Sequence, residues 1–231
     1  MKISEWIKVQ KEDLKKRIKN YSRTRALFFL SLILGLLLSL YSLWGKIFTS
    51  YLNWLDGFLI EKLRTAYFPF LKEFFTFVTF FGSEIFIMIV SLVLVIILIQ
   101  KRRKRAATVS LLSLAGSAIL VGFFKSFFAR QRPGECPNHF FGGDSGCFSF
   151  PSGHTTLALY FYGLITYLTL RFGIFSLRKK WLIISGSVFL IILIAFSRLY
   201  LGLHFLSDII GGFLLGGIWL VAAIFLIDFL Y

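Results

Sequence analysis

Only four prolines interrupt the 231 residues of this chain, 57% of which are hydrophobic with a mean hydropathy of +0.78, so an ordinary soluble domain is excluded. No glycine loop of the Walker type occurs, which leaves a nucleotide-dependent kinase without support. The sequence also lacks a carboxylate cluster suited to caging magnesium. No small-residue cleavage site follows the first apolar run, so a signal peptide is not expected. Internal repeats and low-complexity linkers are missing as well.

What is present is a series of apolar runs, at about 26–45, 84–100, 106–124, 155–171, 182–196 and 209–229. Several approach the roughly 20 residues that cross a bilayer, and the short ones have room to extend into their flanks. The fold class this predicts is all-α: a polytopic membrane bundle of six transmembrane helices with interfacial helices, occupying residues 26–231. The formal charge of +15 falls between the runs, in clusters at 15–25, at 101–105 and at 178–180. Six spans place all three clusters on one face, the cytoplasmic one, together with both termini. A nucleic-acid partner is therefore not expected. Ahead of the first run, Ile3, Ile7, Leu14 and Ile18 recur at helical spacing among lysines, so residues 1–25 read as a basic amphipathic helix on an anionic membrane surface, with a solvated basic tail as the alternative. The stretch 46–83 lies outside, and its aromatics mixed with charge predict interfacial helices. The start of the second span is the least defined boundary, since apolar residues from Phe68 to Phe81 lengthen it if helical.

The unusual polar groups gather in segments that this topology puts on the outer side. In KSFFARQRP, Lys125 and Arg132 are seven residues apart, on one face of a two-turn helix that Pro133 would end; two cations there can hold a dianion. The alternative is a pair of interface anchors. In FSFPSGHTT, Ser152, Gly153 and His154 precede an apolar helix, whose free N–H groups and dipole attract anions. In SRLYLGLHFLSD, His204 and Asp208 are four apart, so one helical turn brings a carboxylate to an imidazole and fixes its tautomer. Arg198 points to the same side if its helix continues through the turn. Each segment alone also fits a structural role: an ordinary helix start, or a stabilising ion pair. Three cations, two histidines and an aspartate on one side of a membrane are harder to explain that way.

These segments resemble the three-part signature of the type 2 phosphatidic acid phosphatase superfamily, KxxxxxxRP, PSGH and SRxxxxxHxxxD, with all fixed positions present between 125 and 208. The resemblance implies a bacterial membrane lipid phosphatase that needs no cofactor or metal. It implies that His204 attacks phosphorus, that Asp208 orients His204, and that His154 protonates the leaving oxygen and then activates water. Lys125, Arg132, Ser152, Gly153 and Arg198 would bind the phosphate. The expected partners are a lipid phosphate and the bilayer, with no obligatory protein. The expected site is the cell (inner) membrane, with chemistry on its periplasmic or outer face. Among substrates the reading leans to lipid A 1-phosphate, because the chain is so basic and has an ample external loop. Undecaprenyl diphosphate and phosphatidylglycerophosphate are alternatives, as is phosphate transfer from the same histidine to another acceptor.

The two cysteines, Cys136 and Cys147, share the external loop that ends at PSGH, where an oxidising compartment would permit a disulfide. Closing a loop of about a dozen residues would contribute roughly 3 kcal/mol in the chain-entropy view. His139, in the same loop, reads as a surface residue.

Overall fold

The computed structural model describes residues 51–65, 68–134 and 147–230. The amphipathic segment 1–25, the first span at 26–45, Cys136 and His139 lie outside the described residues. Seven α-helices and no strand are found among the described residues: α1 (Tyr51–Thr65), α2 (Pro69–Phe80), α3 (Glu84–Gln100), α4 (Lys104–Phe128), α5 (Gly153–Phe172), α6 (Leu177–Tyr200) and α7 (Leu206–Leu230). Each of the five later apolar runs expected from the sequence lies in a helix. The helix at Glu84–Gln100 matches its run, and the other four extend beyond theirs because flanking polar turns remain helical.

Segments 69–100, 104–128, 177–200 and 206–230 are long and apolar enough to cross a membrane. The first of these is two helices, since the chain turns at Phe81–Ser83 and Ser83 caps α3 by accepting from the Phe86 N–H at 3.3 Å. Their outward faces carry Leu92, Ile96, Leu112, Ile119, Phe123 and Phe189, all strongly exposed. Such surfaces suit lipid and would be a liability in water.

Helix α5 is the axis of the bundle. Leu157, Ala158, Tyr160, Phe161 and Leu164 are buried along it, packed among α3, α4, α6 and α7. Facing helices rather than lipid, it tolerates hydroxyls that a lipid-exposed span would not. The Tyr160 hydroxyl meets Ser113 of α4, and Thr166 donates to Ser187 of α6 at 2.6 Å. Against α7 the approach is close: a Cβ on Gly212 would meet the Ser152 carbonyl oxygen at 2.9 Å, and one on Gly216 the Thr156 oxygen at 2.6 Å. Small residues here let two backbones touch. The N-termini of α5 and α7 are thereby set side by side, and the Ser152 N–H donates to the Asp208 carbonyl at 3.0 Å.

One end of the bundle is basic. Residues 101–105 join α3 to α4, Arg103 lies over the Phe172 ring at the end of α5, Arg105 donates to the Leu230 carbonyl, and Arg178–Lys180 open α6. Because successive spans are antiparallel, the C-termini of α4 and α6 and the N-termini of α5 and α7 come together at the opposite end.

Candidate active site

Lys125 sits in the last turn of α4 and is only 8% exposed. The helix ends at Phe128, where Ala129 adopts φ 44° and its N–H closes on the Lys125 carbonyl at 2.9 Å. This corrects the expectation that Lys125 and Arg132 share a helical face. Beyond Ala129 the chain is drawn into pairing with the segment ahead of α5: the Ser149 N–H donates to Arg130 O at 2.7 Å, and Gln131 bridges Phe148. Arg132 therefore reaches the site from a loop. Even so, Arg132, Arg198, Asp208 and Glu84 are the charged groups acting on Lys125.

Ser152 caps α5. Its buried Oγ accepts from the Thr155 N–H at 3.5 Å and from Thr155 Oγ1 at 3.0 Å. Gly153 and His154 follow in the first turn, where amide groups have no partner within the helix. His154 packs on Gly82 in the α2–α3 turn, where an added Cβ would lie 3.4 Å from the imidazole Cδ2 and 2.5 Å from Ile194. Tyr162 fixes that turn by donating to the Phe81 carbonyl at 2.8 Å. The charges of Arg198, Lys125 and Arg132 all reach His154.

Arg198 is 4% exposed near the end of α6. Its Nη1 donates to Thr79 Oγ1 at 3.0 Å, while its Nε is buried without a hydrogen-bond partner. The helix does not continue through the turn to His204, as the phase argument required; it stops at Tyr200. Gly202, at φ +66°, reverses the chain, and the N–H groups of Leu203 and His204 return to the Arg198 carbonyl at 3.1 and 3.3 Å. Backbone capping thus does what helical phase was expected to do, tying His204 to Arg198.

His204 is 1% exposed, just ahead of α7. Arg132 Nη1 lies 3.0 Å from the Leu203 carbonyl and 3.2 Å from His204 Nε2. A guanidinium can only donate, so Nε2 is the unprotonated nitrogen and Nδ1 carries the hydrogen. Nδ1 faces Asp208 Oδ2 at 3.5 Å, within ion-pair distance once the imidazole is charged and too far for a well-formed hydrogen bond. Burial first, then the charges of Arg198, Arg132 and Lys125, hold His204 well below the ordinary imidazole range.

Arg130, which sequence reasoning did not select, holds Asp208 and is in turn held by Asp56, likewise unselected. Arg130 Nη1 donates to Asp208 Oδ1 at 2.7 Å and to Ser207 Oγ at 2.6 Å, and its Nη2 donates to Asp56 Oδ2 at 2.9 Å. Asp56, on α1 and 1% exposed, also accepts from the Ser207 N–H at 3.0 Å. Arg130 was legible only as one more cation in KSFFARQRP, and Asp56 only as one charge in an aromatic stretch. Cys147 is disulfide-bonded.

The cluster combines four cations with two buried carboxylates, both of which bond Arg130. A site with this excess of positive charge, two helix N-termini and two imidazoles is built to receive an anion with several oxygens and to move a proton. No group of three or more His, Cys, Asp or Glu side chains that could share a metal ion occurs among the described residues.

Comparison with known proteins agrees with this chemistry. The PAP2 superfamily matches residues 106–229. The phosphatidylglycerophosphatase B of Bacillus subtilis is 32% identical over 149 residues, 64% of this chain and 71% of that protein. The lipid A 4'-phosphatase of Porphyromonas gingivalis is 36% identical over 104 residues, 41% of this chain and 39% of that protein. Among solved structures, the transmembrane PAP2-type phosphatidylglycerolphosphate phosphatase of Bacillus subtilis has a TM-score of 0.72 at 26% identity, over 83% of this chain and 93% of its own. Aquifex aeolicus LpxE has a TM-score of 0.54 at 26% identity, over 74% and 94%.

Proposed function

The chain belongs to the PAP2 superfamily and is a membrane lipid phosphatase of that superfamily's type, and on that premise we propose that it hydrolyses a lipid phosphate through a phosphohistidine on His204. The observation that carries this reading is the convergence of Lys125, Arg132, Arg198, His154 and the His204–Asp208 pair at the end of the bundle away from the basic clusters.

The substrate phosphate displaces the Arg132 donor from Nε2 and takes its hydrogen bonds. Nε2 attacks phosphorus, the bond to the lipid oxygen breaks, and His154 gives that oxygen a proton. Water then attacks the phosphohistidine while His154 takes the proton back, and inorganic phosphate leaves. Lys125, Arg132, Arg198, Ser152 and the Gly153 amide stabilise the charge on the equatorial oxygens, a task that cations and amide dipoles perform here without a divalent ion. By the charge asymmetry of its loops, the site opens on the outer face and the basic end on the cytoplasmic face.

The substrate preferred on the present observations is phosphatidylglycerophosphate. The relatives named for it match more of this chain than the lipid A 4'-phosphatase does, and this outweighs the lean to lipid A 1-phosphate drawn from net charge. A cavity of about 190 Å³ beside the Arg132 loop, lined by Ile60, Leu63, Arg64, Lys72, Gly134 and Gly202, offers cations to a headgroup's second phosphate. Phosphate release by the purified protein in detergent with EDTA tests the reading. The panel is phosphatidylglycerophosphate, phosphatidic acid, undecaprenyl diphosphate and lipid A, with His204→Ala as control. Hydrolysis that survives EDTA, vanishes in the variant and is fastest on phosphatidylglycerophosphate supports it. Activity abolished by EDTA, or equal in the variant, overturns the mechanism; a phosphorylated acceptor in place of free phosphate makes the protein a transferase.

A further inference from the structure

We propose that Arg130 and Asp56 are positioning residues for the reaction, holding Asp208 so that one carboxylate oxygen faces His204. The inference rests on the reading of His204 as nucleophile. Asp208 is fully buried, and each of its oxygens is engaged. Oδ1 receives Arg130 Nη1 at 2.7 Å and Ser149 Oγ at 3.4 Å. Oδ2 accepts from the Phe205 N–H at 2.8 Å and faces His204 Nδ1 at 3.5 Å. The bond from Arg130 therefore decides how the carboxylate is turned about its own axis, and with it where Oδ2 sits.

Arg130 is itself fixed on three sides. Asp56 takes its Nη2, Ser207 shares its Nη1, and its guanidinium carbon stacks 4.3 Å from the centre of the Phe205 ring, next to His204 in the chain. One guanidinium thus lies between two buried carboxylates that come from opposite ends of the described sequence, 151 and 152 positions being the separations of Ser207 and Asp208 from Asp56. Two carboxylates so placed would repel without the cation, and a protonated Asp208 could not support positive charge on the imidazole as the phosphohistidine forms. With Asp56 removed, Arg130 spends its whole charge on Asp208, which makes that carboxylate a weaker partner for Nδ1–H.

Helix α1 adds a link to the membrane. On its outward face Trp54 and Phe58 stack at 5.5 Å and are 60% and 42% exposed, the character of residues that sit at a bilayer surface. On its inward face Asp56 reaches the catalytic pair. Docking of this surface helix and alignment of Asp208 are one event in this geometry.

The test compares Asp56→Asn, Arg130→Gln, Arg130→Lys and His204→Ala in the full chain in detergent. It reads kcat, KM, thermal stability, and inhibition by orthovanadate and by inorganic phosphate. A positioning role predicts that Asp56→Asn and Arg130→Gln lower kcat on the order of 10²-fold with KM nearly unchanged, since a displaced catalytic group costs that much. Vanadate, a transition-state mimic, should lose affinity in parallel, while phosphate inhibition holds and Arg130→Lys recovers part of kcat. If kcat in both variants stays at the parent value while His204→Ala is inactive, the proposal fails and the nucleophile assignment stands. If His204→Ala is active, the underlying reading fails instead. Should Arg130→Gln not fold, the near-isosteric Asp56→Asn decides; loss of folding, or of phosphate affinity together with kcat, in that variant too would leave the network a scaffold and overturn the proposal.

Discussion

Arg132 Nη1 lies 3.2 Å from His204 Nε2, so the guanidinium that is to bind phosphate also reveals which imidazole nitrogen is free to attack. The same contact keeps a positive charge beside the ring. With burial and the charges of Arg198 and Lys125 it holds His204 well below the ordinary imidazole pKa of about 6.5.

His204 is therefore expected to be neutral, with its proton on Nδ1, in the resting protein at pH 6.5. ¹⁵N NMR of histidine-labelled protein in micelles, assigned with His204→Gln, checks this: a signal that does not titrate between pH 8 and 6 is expected, and a midpoint at or above 6.5 contradicts it. The linked stability effect has a definite sign. Between about 6.5 and the folded value the unfolded chain takes up a proton that the folded one refuses, so stability falls as pH drops through that window and is unaffected above it.

Arg198→Gln should lower kcat/KM by roughly 10²- to 10³-fold, the usual cost of removing one donor to a developing oxyanion. Arg198→Lys should not restore it, because a lysine cannot supply both the Thr79 bond and a second donor aimed at phosphate. Thr79→Val, which removes only the support, should cost less than Arg198→Gln. Steady-state kinetics on a soluble short-chain lipid phosphate ranks the three, and a Thr79→Val loss as large as that of Arg198→Gln would contradict the assignment.

Gly216→Leu should destabilise the bundle and lower activity together, because its Cβ would lie 2.6 Å from the Thr156 backbone oxygen of α5. Overpacking of this kind costs about 1–3 kcal/mol. The control is Gly57→Ala on α1, where no atom lies within 4 Å of an added Cβ. Thermal unfolding in detergent should separate the two; equal midpoints would mean that α5 and α7 have slack at this crossing.

Because Cys147 is oxidised, neither thiol of protein isolated without reductant should react with a maleimide after unfolding. Prior reduction should expose two. Mass spectrometry counts the adducts, and two adducts without reduction would exclude the bridge.

Most of the site was legible because its residues lie in three short segments whose neighbours are apolar, so each polar group stands out: Lys125 in KSFFARQRP, His154 in PSGHTT, His204 and Asp208 in HFLSD. The start of α3 was the least defined boundary in the sequence, because apolar residues lie on both sides of it; the structure sets it at Ser83, which caps the helix ahead of Glu84. What was not legible depends on backbone choices without a local signal. Ala129 takes a left-handed conformation that its side chain does not favour, and nothing in the sequence announces the bridge from Gln131 to Phe148 that goes with it. Asp56 and Arg130 stand 74 positions apart, a separation that no periodicity can span. The short reading of the spans that carry Lys125, Arg198 and Asp208 has one cause: lipid-facing residues define an apolar run, whereas the buried polar turns that hold these side chains are helical as well.

The central claim is a covalent phosphohistidine, and the stereochemical course at phosphorus tests it most directly. Hydrolysis of a lipid phosphate made chiral with oxygen isotopes, in water of the third isotope, gives phosphate whose configuration NMR can read. Two successive in-line displacements, at His204 and then by water, predict net retention. Net inversion would mean that water attacks the lipid phosphate directly, and His204 would then be a base or a phosphate ligand rather than the nucleophile.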